Sequence, residues 1–370
     1  MKRNKAYKFR LYPDSIQKQF FEQNFGNARF IYNIMLEDKI KHYEKTKTSL
    51  YNTPAQYKDK YEFLKKSDSL GLANEQLNLE KAYRSFFRNP KHFGFPKFKS
   101  KHKSKYSYST NNQNIKGKNT IFIDNGKIRL PKIGFVKIIQ DREFKRNHKI
   151  KTVTISRTRT NKYFASILIE YECDVKLVNP VSYIGLDFSM SDLYVDSNGN
   201  VANSSKLYRE NEAKLAKEQR KLSNKVRGSS NYKKQKLKVA RVHEKIANKR
   251  KDFLHKKSRE IANLYDVVCI EDLNMSAMSK TFKFGKSVHD NGWGMFVNML
   301  SYKMEESGKY LIKADKWFPS SKQCSGCGNK KEKLKLSERI YHCVSCDLEI
   351  DRDLNAAYNL KQYGIDNMKL

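Results

Sequence analysis

Residues 317–360 read WFPSSKQCSGCGNKKEKLKLSERIYHCVSCDLEIDRDLNAAYNL. They hold two Cys-x-x-Cys pairs, Cys324/Cys327 and Cys343/Cys346, with fifteen residues between the pairs. That separation falls in the range of a four-cysteine zinc ribbon. Tetrahedral Zn²⁺ takes four thiolates at about 2.3 Å, and one tight knuckle offers two of them. Gly326 and Gly328 are expected to supply the backbone freedom of the first knuckle. Two redox pairs or chance spacing are the alternatives. A site of this kind is structural, so it folds a small module and does no chemistry itself. Immediately after it, Asp351-Arg352-Asp353-Leu354-Asn355-Ala356-Ala357 places carboxylates at the head of a helix. The small alanines there permit close packing.

Working outward, the chain has 370 residues, long enough for two or three domains. Lys and Arg number 75 against 39 Asp and Glu, a net charge of +36. A solvated surface does not need that imbalance, and a nucleic acid is the economical partner. The 22 Tyr and 21 Phe are many for so polar a chain, and those interleaved with Lys suit base stacking in a basic groove. Cys173 and Cys269 stand alone in strand-like runs, which implies a reducing compartment. The start, MKRNKAYKFRLYPD, lacks an apolar core of a signal peptide, and no run of about 18 apolar residues occurs. A cytoplasmic, nucleoid-associated protein without membrane contact is expected.

In the N-terminal half, Lys5 to Tyr12 alternates as a strand and stops at Pro13 and Asp14. Ile16 to Lys45 carries Phe20, Phe21, Phe25, Ala28, Ile31, Ile34 and Met35 at helical spacing, and Ala73 to Arg88 repeats the pattern. From Lys91 to Tyr108 basic and aromatic residues alternate around Gly94 and Pro96. This is either a strip that tracks a phosphate backbone or a solvated linker. Short strands follow: 121–123, 127–130, 135–139, 153–155 and 164–171. Asp124-Asn125-Gly126 and Thr160-Asn161-Lys162 are turns between them. A small β-barrel or sheet is expected, with the first strand joining it and the helices as an insertion.

In the C-terminal half, Ser182-Tyr-Ile-Gly-Leu-Asp187 is a buried strand that ends on a carboxylate, and a hairpin through Ser197-Asn198-Gly199-Asn200 follows. An RNase H-like nuclease core begins this way. Asp266-Val-Val-Cys-Ile-Glu271 is a second apolar run that ends on an acid, and Tyr310 to Ala314 is a third strand. Between Leu207 and Leu264 lie two basic helices broken near Arg227 to Asn231. Their charge is too one-sided for a solvated face, which favours phosphate contact. Trp293 to Ser307 is an amphipathic helix that stops at Gly308.

Cleaving a phosphodiester needs a nucleophilic water and relief of charge on the leaving oxygen. Two Mg²⁺ ions about 3.5–4 Å apart supply both, with Mn²⁺ as the alternative. Carboxylates hold such hard cations. Asp187, Glu271 and Asp353 sit at two strand ends and one helix start, which a parallel core can bring to one edge. A lone acid ending a strand is usually a cap, so the signal lies in the set.

These motifs resemble the TnpB family, insertion-sequence proteins related to type V CRISPR effectors. The likeness spans nearly the whole chain: ARFIYN (28–33), FGFPKFKSK (93–101), IRLPKIGFVKI (128–138), IGLDFS (184–189), VVCIEDLNM (267–275), SSKQCSGCG (320–328) and CDLEIDRDLNAAYNL (346–360). The resemblance implies an α/β multidomain protein: a RuvC/RNase H-like nuclease core with an inserted zinc ribbon, and an N-terminal β-barrel wedge carrying a helical recognition insertion. By this division the wedge takes residues 1–14 and 105–180, the insertion 15–104, the core 181–319 and 348–370, and the ribbon 320–347. The implied activity is RNA-guided DNA cleavage, with a guide RNA from the transposon end and double-stranded target DNA as partners of a monomer. The implied catalytic and Mg²⁺-holding acids are Asp187, Glu271 and Asp353, and Arg339 matches a basic position near them. Cys324, Cys327, Cys343 and Cys346 are the implied zinc ligands. A nuclease-inactive DNA-binding repressor and a strand-transfer transposase are the alternatives. One departure is Asp347, where the family commonly has Gly after the last cysteine.

Overall fold

The computed structural model describes every residue except 103, 146, 204–205, 276–277, 279–291, 336 and 369–370; of residues 206–210 it describes the backbone alone. The chain divides into two compact units, Met1–Asp174 and Val175–Leu370.

The first unit opens with β1 (Lys2–Tyr12), which Pro13 ends. Asp14 then caps α1 (Ser15–Thr46): its carboxylate accepts from the Gln17 N–H at 2.8 Å, and the Gln17 side chain returns a bond to the Asp14 N–H. Helix α2 (Ser69–Arg88) begins four residues before the expected start, because Asp68 caps it by accepting from the Leu70 N–H at 3.0 Å. A single turn, α3 (Pro90–Phe93), comes next. The rest is β: β2 (Tyr106–Asn111), β3 (Asn114–Ile115), β4 (Lys118–Asn119), β5 (Phe122–Asp124), β6 (Lys127–Leu130), β7 (Gly134–Ile139), β8 (Lys149–Arg157) and β9 (Tyr163–Glu172). Seven strands form one antiparallel sheet in the order β2-β8-β9-β1-β7-β6-β5. Strand β1 runs along β9 from Lys2↔Glu172 to Leu11↔Tyr163 and touches β7 at its end, so the helices lie in sequence between strands of one sheet. The expected turns are present: Asn125 (φ 46°) with Gly126 (φ 68°), and Asn161 (φ 62°).

Strand pairing does not close this sheet into the expected barrel. Strands β2 and β5 are its edges, and the short β3 and β4 pair with each other. The edges are tied instead by Asn112, whose side-chain oxygen accepts from the Ile121 N–H at 2.9 Å. Phe21, Phe25 and Ala28 of α1 pack on the buried sheet face around Phe9, Leu11 and Ile167. The next turns of α1 use Ile31, Met35 and Leu36 against Leu64, Leu72 and Leu79.

The second unit contains β10 (Tyr183–Phe188), β11 (Tyr194–Asp196), α4 (Lys206–Ser223), α5 (Ser230–Leu264), β12 (Val267–Glu271), α6 (Trp293–Glu306), β13 (Tyr310–Ala314), β14 (Ile340–His342), β15 (Glu349–Asp351) and α7 (Arg352–Met368). Its main sheet has the order β11-β10-β12-β13, with β10, β12 and β13 parallel. The apolar runs of β10 and β12 are buried on both faces, as parallel strands are. The expected return strand after Gly199 is one isolated bridge, Val195↔Val201. Helices α4 and α5 meet on a small seam of Leu215, Val239, Val242 and Ile246, with Gly228 (φ 90°) in the break between them. Lys233, Lys234, Lys236 and Lys238 of α5 face solvent. Among the described residues, no helix is long and apolar enough to cross a membrane.

Candidate functional site

Strands β10 and β12 pair in parallel register up to Leu186↔Ile270. The next residue of each, Asp187 and Glu271, therefore lies at the same end of the sheet, Glu271 as the last residue of β12 and Asp187 as the last but one of β10. Helix α7 reaches that edge because Gly185 lets it approach. A Cβ at Gly185 would lie 2.0 Å from the Ala357 carbonyl oxygen and 2.5 Å from the Lys361 nitrogen. Further along, a Cβ at Gly364 would stand 3.1 Å from Cys269. This close packing brings Asp353, in the first turn of α7, to the two strand ends.

The three carboxylates feel one another. Asp187 is 8% exposed. Burial pushes its carboxyl well above the usual range, and the charges of Glu271 and Asp353 add to the shift. Burial also raises Glu271; a hydrogen bond from Ser320 opposes this and the Asp353 charge reinforces it. Cations stand beside Asp353: Arg352 Nη2 is 3.4 Å from Oδ1, and Arg339 Nη1 is 3.9 Å from Oδ2. Arg339 is otherwise open, with 69% of its side chain exposed. Arg352 also opposes the rise at Asp187, yet three largely buried acids against two guanidinium groups still suit divalent cations bound through oxygen. The three do not gather as tightly as a single-ion cage, because among the described residues only the four cysteines bring three or more such donor atoms within 4.8 Å of one another.

Behind the acids lies a polar network that sequence reasoning missed. Ser320, itself buried, donates its hydroxyl to Glu271 Oε1. The Asn359 amide donates to the Ser320 carbonyl at 2.8 Å and to the Gln323 carbonyl at 2.7 Å. One turn earlier on α7, Asn355 donates to the same Gln323 carbonyl at 2.7 Å and accepts from the Ser325 N–H at 2.9 Å. Asn is a poor residue for a helix interior unless its side chain has a task. Two of them four residues apart, beside alanines, were the available signal.

That network ends in the cysteine module. Cys324 Sγ and Cys346 Sγ are 3.6 Å apart, as are Cys327 Sγ and Cys343 Sγ. Zn–S bonds of about 2.3 Å in a tetrahedron put sulfurs about 3.8 Å apart, so the four thiols fit Zn²⁺. Both of these short separations run between the two Cys-x-x-Cys pairs, which disfavours the redox-pair alternative. The N–H of Ser345 donates to Cys343 Sγ at 3.5 Å, and such backbone donors hold that thiol down to about 6. The knuckles turn on the residue after their second cysteine: Gly328 has φ 77° and Asp347 φ 53°. Gly326 is not needed for a left-handed backbone. Nor is it needed for room, since a Cβ there would meet Leu348 at 3.4 Å and Cys324 Sγ at 3.7 Å, ordinary contact distances. Tyr341, on β14, is fully buried between the cysteines, with Leu334, Leu348 and Ile350 around it.

Family models match residues 166–281 ("Probable transposase"), residues 293–360 ("Cas12f1-like, TNB domain") and residues 1–48 ("Helix-turn-helix domain"). In this chain residues 1–48 form β1 and the single helix α1, with no helix–turn–helix. A protein named "Putative RNA-guided DNA endonuclease" from Streptomyces pristinaespiralis is 33% identical over 98% of this chain and 89% of its own length. One named "Putative RNA-guided DNA endonuclease InsQ" from Escherichia coli (strain K12) is 30% identical over 98% of this chain and 93% of its own. The fold is also similar to a chain in a cryo-EM structure of a Cas12f1–sgRNA–target DNA complex, with TM-score 0.61 and 15% identity over 97% of this chain and 99% of that one. The chain belongs to the TnpB family of insertion-sequence proteins.

Proposed function

We propose that this protein is an RNA-guided DNA endonuclease of a transposable element, and that Asp187, Glu271 and Asp353 carry its chemistry. The observation behind this reading is the meeting of the three acids: two lie at the C-terminal ends of adjacent parallel strands, one of them a residue before its strand stops, and the third heads a helix packed tightly on Gly185. The names of the full-length relatives give the same class of activity. The four-stranded sheet with α7 is read as a RuvC-like core interrupted by a zinc ribbon. The first unit is read as the wedge with its helical recognition insertion.

Asp187, Glu271 and Asp353 would hold two Mg²⁺ ions, which when bound supply an activated water and neutralise the leaving oxygen. The chain's own groups prepare that site. Ser320 fixes the rotamer of Glu271, while Arg352 steadies Asp353. Arg339, exposed beside Asp353, is free to turn toward a scissile phosphate. Cys324, Cys327, Cys343 and Cys346 would hold Zn²⁺ as a structural ion. The exposed lysines of α5 supply phosphate contacts. The fit of the acids to Mg²⁺ also favours the nuclease over an inactive DNA-binding repressor.

The test uses the protein co-purified with its RNA. Guide-matched DNA should be cut in Mg²⁺ and left intact in EDTA. Asp187→Ala should bring cutting to background while DNA binding, read by gel shift, persists. Undiminished cutting by Asp187→Ala would remove Asp187 from the site, and activity that survives RNase treatment would sink the RNA-guided reading.

A further inference from the structure

The loop between α2 and β2 carries features that the cleavage reading does not use. Between Glu80 and Asp124 there is no acidic residue, while eleven Lys or Arg occur. The same stretch exposes large rings: Phe87 is 72% exposed, Phe98 56%, Phe93 48% and Phe95 45%. Scattered exposed apolar residues mean little, but a cluster of aromatic ones marks an interaction site. Two of these, Phe87 and Phe95, share one ring cluster with Tyr83 and Phe86. Phe95 meets Tyr83 and Phe86 edge-on at 5.6 and 5.4 Å, and Phe87 stacks on Tyr83 at 6.1 Å. Arg88 lies 5.5 Å over the Phe93 ring.

The loop is also held in place. Pro96 is buried. The Lys99 N–H donates to Asn33 Oδ1 at 2.8 Å, and Asn33 Nδ2 donates back to the Lys99 carbonyl at 2.9 Å. The Lys99 ammonium pairs with the buried Glu75 at 2.5 Å and sits 3.9 Å from the centre of the Tyr32 ring. Asn33 closes the ARFIYN motif and Lys99 lies in FGFPKFKSK, so these two motifs are one clamp. Rings fixed in this way lose little entropy on binding.

We propose that Phe87, Phe93, Phe95 and Phe98 form a stacking platform for unpaired nucleotides of the RNA strand that the protein carries. Charge selects a polyanion, since exposed Arg88, Lys91 and Lys97 surround the rings and no acid interrupts them. The rings select unpaired bases, because a duplex hides its base faces while a single strand offers them. RNA is the strand chosen because the platform belongs to the unit without the candidate acids, the place for the strand that stays rather than the one that is cut. This last step rests on the RNA-guided reading.

The experiment compares wild type with Phe87→Ala/Phe98→Ala, and uses Phe87→Trp/Phe98→Trp as the variant that keeps stacking. Both positions are too exposed for the changes to unfold the chain, and circular dichroism checks this. RNA-free protein is titrated with a short fluorescent oligouridine over a range of salt. Each lost ring should weaken binding about tenfold, within what one stacked base is worth. The slope of log affinity on log salt should stay unchanged, because it counts phosphates and not rings. The Trp variant should bind at least as tightly as wild type. Ultraviolet crosslinking of the protein co-purified with RNA and bound to target DNA should join peptide 84–99 to RNA. Equal affinity of the Ala variant and wild type, crosslinks to DNA alone, or a fall in sedimentation mass that shows a contact between copies would each overturn the platform. If wild type co-purifies with no RNA, the RNA-guided reading itself fails. RNA retained equally by wild type and the Ala variant defeats the platform alone.

Discussion

The cysteine quartet and the carboxylate trio, the proposed ligands of Zn²⁺ and Mg²⁺, are built on opposite plans. The four sulfurs come from 23 consecutive residues, Cys324 to Cys346, and already lie within 4.8 Å of one another. The three acids come from positions 187, 271 and 353 and do not close that far. Local turns place the first set, while a parallel sheet and a helix packed on a glycine place the second. A soft ion that must hold a fold together needs a finished cage. A pair of hard ions that must also admit a substrate needs a wider one. The two sets are joined through Ser320, Asn355 and Asn359, and the joint decides how far each can fail alone.

The largest effect should come from the quartet. Zinc contributes about 10–16 kcal/mol of apparent folding free energy in small zinc modules at neutral pH, and the packing around Tyr341 is too slight to replace it. Cys324→Ser should lower zinc content, read by mass spectrometry of the metal. It should also lower cutting of guide-matched DNA, because Gln323 and Ser325, the partners of Asn355 and Asn359, flank position 324. A zinc-free variant that cuts at the normal rate would make the ribbon an appendage.

The reverse break is Gly185→Ala. The new Cβ would fall 2.0 Å from the Ala357 carbonyl, a backbone atom that cannot swing away. Helix α7 must shift off β10, at a cost of about 3 kcal/mol, the upper end for an overpacked core. The melting temperature should drop by several degrees and cutting should be lost, while the cysteines, set by local turns, still take up zinc. Loss of zinc together with cutting would show that the quartet depends on the sheet.

Asn359→Ala tests the joint with a smaller change. It leaves the buried Ser320 carbonyl without its side-chain donor and the Gln323 carbonyl with Asn355 alone, at about 1–3 kcal/mol. Zinc content should hold and DNA affinity should hold. The Mg²⁺ concentration for half-maximal cutting should rise, since Ser320 is what fixes Glu271. An unchanged Mg²⁺ dependence would reduce Asn359 to a packing residue.

The same contrast explains what could be read from residues alone. The cysteine spacing is a local code, and local turns obey it. The apolar runs ending on Asp187 and Glu271 announce themselves as buried strands, and Gly185-Leu186-Asp187 can be matched to a family motif. Periodicity carries no information about partners 30 or more residues away, so Ser320 and the two asparagines stayed hidden: the Asn355–Ser325 and Asn359–Ser320 bonds span 30 and 39 residues. The open sheet has the same cause. Alternation identifies β1 and β6 to β9, but nothing in the composition of the two-residue strands β3 and β4 states that they pair with each other and not with the edges β2 and β5. The early start of α2 turned on one cap, Asp68, placed before the apolar stripe begins.

The smallest effect lies in the left-handed residue of the second knuckle. Asp347 occupies the second knuckle at φ 53°, where Gly328 occupies the first at φ 77°. A left-handed backbone costs an L-residue about 1–2 kcal/mol, and Asp is among the few that visit it routinely. Asp347→Gly removes that strain but gives the unfolded chain more freedom, about 0.5–1 kcal/mol in the opposite direction. The net gain should therefore stay under about 1 kcal/mol, visible as slightly slower zinc loss to a chelator and not as a change in cutting. Because Asp347 is exposed and points no sulfur at the ion, any rise in cutting rate would mean that its charge, rather than its backbone, had been acting on the substrate strand. Asp347→Asn separates the two: it keeps a residue tolerant of the left-handed region and drops the charge, so it should match the wild-type chelator rate if backbone strain is the whole effect.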